Sequence, residues 1–287
     1  MLFIIGAITV IVCVFGGYVA MGGKLGVLWQ PFEYVIIGGA GIGAYIIANP
    51  PEVLKKTGKG MGRIMKGQTI KKADYLELLT LMFVVFKTAR TKGMLALEAH
   101  IENPKESSIF NKFPKFAKNH EALDFFCDYL RLLTMGTNDV HQLEDLMNEE
   151  LESHHNECHQ VAGAVQTMAD GFPALGIVAA VLGVIKTMGS ITEPPEVLGK
   201  LIGGALVGTF FGVFISYGIV APMAGSLNNI YGEEGRYFHC MKAGIVAFVQ
   251  GHPPSVAVEF ARKGIFHSFR PSFYELEEAV NNVQVEA

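Results

Sequence analysis

The chain has 287 residues, half of them hydrophobic, with 33 glycines, a formal net charge of −4 and a mean hydropathy of +0.33. That is more apolar and glycine-rich than an ordinary soluble domain, and so small a net charge gives no basis for binding nucleic acid. Cys13, Cys127, Cys158 and Cys240 are widely separated, so disulfides are not expected.

A membrane-spanning helix needs about 20 mostly apolar residues. Four stretches meet that standard, at residues 2–21, 34–49, 172–188 and 201–223. The first has no charged segment before it and no defensible cleavage site, so it is expected to stay as an anchor. Small residues recur at helix-packing spacing, as Gly39 and Gly43 in the second span and Gly176, Ala180, Gly183 and Thr187 in the third. Gly204, Gly208 and Gly212 do the same in the fourth, which predicts close helix–helix contact. Lys55, Lys56, Lys59, Arg63 and Lys66 follow the second span, whereas the two short connections are poor in basic residues. By the positive-inside rule, residues 51–170, the tail from residue 224 and both termini face the cytoplasm.

The segment between the second and third spans reads as helical. Asp74 is positioned to cap a helix through Leu78, Leu79, Met82, Val85 and Phe86, ending at Gly93. Its apolar cluster at residues 79–86 is too short to span and is assigned to packing. Asn103-Pro104 marks a turn, and a helix over residues 121–135 ends at Gly136. Thr137 or Asn138 then opens a long helix with Val140, Leu143, Met147, Leu151, His154, Cys158, Val161 and Val165 on one stripe, which predicts a stiff stalk. After an interruption at Gly251-His252-Pro253-Pro254 come two short helices, the last starting near Pro271-Ser272. The expected fold is all-α and membrane-embedded. Its expected parts are spans one and two in residues 1–50, a cytoplasmic head over 51–170, spans three and four over 171–223, and a cytoplasmic tail over 224–287.

No phosphate loop, nucleophile elbow, zinc-protease helix or catalytic carboxylate pair is present, which predicts neither an enzyme nor a cofactor. The glycine string at residues 38–43 lies inside an apolar span rather than a strand-to-helix turn. His154, His155, Cys158 and His159 have helical metal-ligand spacing, but two ligands per face need completing from elsewhere, and His154 and Cys158 sit on the packing stripe. No span carries an ionisable side chain in its interior, since Glu33, Asp170 and Lys186 lie at or near the ends. Pro173, Thr187, Thr209, Ser216, Tyr217 and Pro222 can line a wet path or bend a helix. They serve equally as interhelical glue and helix terminators, with Pro173 in the first turn of its span and Pro222 at the inner end of its own. If ions pass, a partner chain must supply the carboxylate.

Several motifs carry a family resemblance. They are Phe15-Gly16-Gly17-Tyr18, Gln30-Pro31, Gly93-Met94, Ile101-Glu102-Asn103-Pro104, Asp128-Tyr129-Leu130-Arg131-Leu132 and Pro173-Ala174-Leu175-Gly176. Val207-Gly208-Thr209-Phe210, Tyr217-Gly218, the stretch Pro254 to Phe260 and Arg270-Pro271-Ser272-Phe273 continue the series. In order and spacing this resembles the MotA family of flagellar stator subunits, within the MotA/TolQ/ExbB proton channel family. The resemblance implies a ring of five subunits in the bacterial inner membrane around two MotB-like chains. Those partners bring an ion-carrying aspartate and a peptidoglycan anchor, and the head pushes the rotor protein FliG. It also implies that Arg90 and Glu98 contact the rotor, that Pro173 and Pro222 couple ion passage to conformational change, and that Thr209 matches a polar channel position. Ala180 matches the position where sodium-driven relatives carry a hydroxyl, so the expected coupling ion is the proton. Subunits of the ExbB/TolQ type are the alternative reading, with usually three spans and no Arg90/Glu98 pair; a non-conducting scaffold is a third.

Overall fold

The computed structural model describes residues 2–67, 70–137 and 139–283, and among these there is no strand. The α-helices are α1 (Leu2–Ala20), α2 (Leu25–Leu28), α3 (Pro31–Ala48), α4 (Pro51–Lys66), α5 (Lys72–Lys92), α6 (Glu98–Glu102) and α7 (Pro114–Ala117). They continue as α8 (His120–Thr134), α9 (Val140–Met188), α10 (Pro195–Ile215), α11 (Ala221–Val249), α12 (Pro254–Lys263) and α13 (Phe273–Asn282). A π-helical turn, Ser216–Val220, joins α10 to α11. Four helical stretches are long and apolar enough to cross a membrane: Leu2–Ala20, Pro31–Ala48, Val140–Met188 and Pro195–Val249.

Local chemistry explains most ends. Proline begins α3, α4, α7, α10 and α12, where its fixed φ suits the first helical turn and its missing N–H costs nothing. Gly93 and Gly136, at φ +86° and +92°, close α5 and α8 in a conformation that a side chain resists. Some expected boundaries need correction. Asp74 lies inside α5, its carboxylate accepting the Lys71 N–H at 2.7 Å, so it closes the first turn rather than capping it. The long helix starts at Val140, with Asp139 accepting from the N–H groups of His141 and Gln142; Asn138 lies outside the described residues. That helix and the third apolar stretch are one helix, α9. Pro173 is therefore deep inside a helix and not in a first turn, and Pro222 is the second residue of α11 rather than the end of a helix.

Two compact units emerge: Met1–Thr69 with Glu157–Tyr231, and Ile70–Asn156 with Gly232–Ala287. The basic helix α4 joins the first unit because Val53, Thr57, Gly60 and Ile64 form a buried face, with a Cβ at Gly60 only 2.7 Å from Leu227 and 2.9 Å from Tyr231. Thr57 also shares a 2.6 Å hydrogen bond with Tyr45, and Lys56 pairs with Glu157 at 2.5 Å.

The second unit has a core of large side chains. Leu78, Leu79, Met82, Val85 and Phe86 of α5 are buried among residues of α8, α11 and α12, with Phe86 stacked on Phe248 at 4.6 Å and Phe125 edge-on to Phe238 at 5.3 Å. The Tyr129 hydroxyl donates to Glu150 at 2.6 Å, tying α8 to α9.

Candidate functional site

In the first unit α9 and α10 meet where side chains are smallest. A Cβ at Gly212 would lie 2.6 Å from the Phe172 carbonyl oxygen and 2.9 Å from the Gly176 Cα; one at Gly183 would lie 2.7 Å from the Ala205 Cβ. Backbone therefore touches backbone, the close approach that apolar solvent rewards when larger side chains gain little from burial. The seam brings together two of the expected ion-path positions. Thr209 and Ala180 are both half-buried, with the Thr209 Cα 3.3 Å from a Cβ position at Gly176 and the Ala180 nitrogen 3.4 Å from one at Gly208. Tyr217 is not drawn in, standing 63 % exposed in the π turn.

The third helix closes on the same glycines. Gln30 packs on Gly204, Glu33 on Gly208, and Tyr34 lies 4.5 Å from Phe211 between ring centroids. Glu33 is thus more than a boundary residue. It occupies the first turn of α3, and its Oε2 is buried with no hydrogen-bond partner among the described residues, 3.1 Å from a Cβ position at Gly208. Sequence reasoning placed it at an edge, and no local signal says which helix its carboxylate lies against.

The expected rotor-contact residues lie in the second unit. Arg90 lies in the last turn of α5 and Glu98 begins α6, the two helices joined by Gly93 and a 3-10 turn, Met94–Leu97. Both are exposed, and among the described residues neither is held by an ion pair or hydrogen bond. Arg131 braces this corner from below, donating to Glu102 and to Asp128 at 2.7 Å each, so the Asp128–Leu132 motif anchors the helix that carries Glu98. His154 packs its ring 5.1 Å from Phe238, and among the described residues no group of three or more His, Cys, Asp or Glu is arranged for a metal ion.

Comparison with known proteins agrees with this architecture. Residues 4–93 match the family model for the N-terminal part of motility protein A, and residues 117–239 match that of the MotA/TolQ/ExbB proton channel family. Motility protein A of Salmonella typhimurium is 43 % identical over 99 % of this chain and 96 % of its own length, and that of Escherichia coli is 42 % identical over the same shares. Chemotaxis protein LafT of Vibrio parahaemolyticus is 39 % identical over 96 % of each. Among solved structures, the flagellar MotAB stator complex of Bacillus subtilis matches with a TM-score of 0.70 at 26 % identity, covering 89 % of this chain and 92 % of its own. C. jejuni MotAB shares the fold with a TM-score of 0.78 at 19 % identity, over 94 % and 98 % of the two chains. With helices, glycine seam and full-length similarity all in agreement, the chain belongs to the motility protein A family, in the MotA/TolQ/ExbB proton channel superfamily.

Proposed function

We propose that this chain is the stator subunit of a bacterial flagellar motor, acting with a MotB-like single-span partner as a proton channel in the inner membrane. The observation that carries the reading is the α9–α10 seam in a chain similar over its full length to motility protein A. Its two helices offer a threonine hydroxyl and tightly packed backbone but no carboxylate of their own, since residues 172–188 and 201–215 contain Lys186 as their one charged side chain, and the carboxylate that reaches the seam, Glu33, comes from the first turn of α3. A partner helix carrying an aspartate supplies the missing proton acceptor. Five copies surround two such partners. The basic residues of α4 support a cytoplasmic position for that helix under the positive-inside rule, and with it both termini on the inside.

Ion passage beside Thr209 changes the bend of α9 and of the α10–α11 helix at Pro173 and Pro222, the ring steps, and the exposed Arg90 and Glu98 push complementary charges on FliG. Ala180 leaves one hydroxyl at the seam. Sodium requires several oxygen ligands, whereas a proton moves by water to a single acceptor, so the coupling ion is the proton. The match of residues 4–93 to the motility protein A model favours this role over one of the ExbB/TolQ type.

Reconstitution with the partner encoded beside it tests the proposal through proton flux, which a scaffold does not support. Cells relying on this stator should swim normally without sodium and slow when a protonophore is added. Strict sodium dependence or block by phenamil overturns the choice of ion.

A further inference from the structure

In an α-helix the N–H of each residue donates to the carbonyl four residues earlier. Pro173 has no N–H, so the carbonyl of Ala169 loses its helical donor, yet α9 runs unbroken from Val140 to Met188. Ala169 is fully buried, where an unpaired carbonyl is costly. The missing donor comes from another helix. Ser216, also 0 % exposed, donates its hydroxyl to the Ala169 oxygen at 2.6 Å across a sequence separation of 47.

Hydroxyls on this chain's helices ordinarily turn back on their own carbonyls. Thr9, Thr57, Thr167 and Thr187 each donate to the residue four before. Ser216 instead crosses to α9, and it is the first residue of the π turn Ser216–Val220. Pro222 follows that turn, and the carbonyl it deprives in an α-helical ladder is that of Gly218, inside the turn. A single π turn within a longer helix is uncommon and is concentrated at functional sites. One hydroxyl therefore joins the carbonyl released by the first proline to the irregular turn beside the second.

We infer that Ser216 is a positioning residue that latches the two proline-interrupted helices together, so that a change of bend at Pro173 is transmitted to the π turn before Pro222. The inference rests on the proposed coupling role of the two prolines. Any motion that shifts α9 below Pro173 must carry the π turn with it or surrender the Ser216–Ala169 hydrogen bond.

The chain contains two Ala-Asp pairs, Ala73-Asp74 and Ala169-Asp170. Labelling with carbonyl-13C alanine and 15N aspartate in the lipid-reconstituted stator complex therefore isolates the Ala169 carbonyl in solid-state NMR, with Ala73 as the internal reference. Ser216→Ala should move the Ala169 resonance upfield and leave Ala73 in place, while Ser216→Thr should retain the native shift. Motor speed per stator should fall roughly fivefold or more in Ser216→Ala, the scale expected for one buried hydrogen bond, and recover in Ser216→Thr. In a Pro173→Ala background Ala169 regains a helical N–H, so adding Ser216→Ala should change speed by less than about twofold. An unmoved Ala169 resonance in Ser216→Ala, or speed losses that multiply independently in the double variant, overturns the latch. Should Ser216→Ala alone fail to assemble, recovery of assembly in the Pro173→Ala background supports the latch and continued failure overturns it. Wild-type speed in Pro173→Ala alone refutes the coupling role of that proline, and the NMR result then still decides whether the hydrogen bond exists.

Discussion

The two units solve the packing problem in opposite ways. In the second, α5 alone buries ten residues, and the core is built from Phe86, Phe110, Phe116, Phe126 and Tyr129, all nearly inaccessible to solvent. In the first, α1 buries none of its residues and α3 buries Ile37 and Gly41, while α9 and α10 meet backbone to backbone at Gly176, Gly183, Gly208 and Gly212. Where water is the solvent, the removal of large apolar surface is the dominant gain. Lipid around a span is as apolar as leucine, so helices there gain from close approach and from pairing each backbone polar group. The same change of solvent explains why a lone buried hydroxyl, Ser216, matters in one unit and stacked rings matter in the other.

That contrast can be broken most forcefully in the head. Phe86→Ala removes a fully buried ring stacked on Phe248 and should cost about 3–5 kcal/mol, read as a large fall in the melting temperature of the detergent-solubilised protein. An equivalent truncation of the exposed Ile177 in α9 should leave melting nearly unchanged. A negligible change at Phe86 would show that the head is not held by its aromatic core.

The seam should answer to the opposite kind of change. Adding a single methyl in Gly212→Ala meets Phe172 and Gly176 backbone that has no rotamer to yield, and overpacking of this kind costs about 1–3 kcal/mol. Assembly and proton flux should both drop. Gly225→Ala, with nothing within 4 Å of the new methyl, is the matched control and should be neutral or slightly stabilising. Equal effects at the two glycines would remove the argument for backbone contact.

A smaller effect sharpens the picture of the second unit. Glu275 caps α13 through Ser272 and pairs with Lys72 of α5 at 2.7 Å. The Lys72 ammonium, then the Ser272 N–H and hydroxyl, hold its carboxyl down to about 2. Its folded value lies below the unfolded one near ~4.3, so its contribution is present above that pH and is lost as the pH falls toward 2. The pair is exposed and salt-screened. Melting temperature should therefore fall slightly more steeply with acid in the wild type than in Glu275→Gln, and parallel curves would dismiss the pair.

Arg90→Glu and Glu98→Lys should have the least effect on folding, within about 0.5 kcal/mol, because both side chains are exposed and have no ion pair or hydrogen bond among the described residues. Swimming should nevertheless be impaired and be partly restored by charge reversal on the rotor. Loss of partner co-purification would instead make them structural.

Much of this architecture was legible in sequence. Hydropathy located the apolar stretches, the stripe from Val140 to Val165 was found by its period, and Gly93, Gly136 and Ser272 marked helix ends where the backbone turns. Each signal is local, because a helix closes its hydrogen bonds within four residues and a glycine or proline acts on its own dihedrals. The Gly204–Gly212 repeat likewise announced a close contact. It did not announce that Gln30 and Glu33 would share it, since that depends on which helix lies alongside.

Pro173 shows where local reading stops. Hydropathy changes near residue 171, which suggested a helix beginning there, but a backbone ladder continues across a change of polarity whenever both halves are packed, and α9 does so. The sequence determined that residue 173 has no N–H to give, and Ala169 lacks a helical donor because α9 continues through that proline. Only the tertiary structure decided that Ser216 would supply it, since a hydrogen bond between residues 47 apart exists when folding brings α9 and the π turn within 2.6 Å and keeps water away from both.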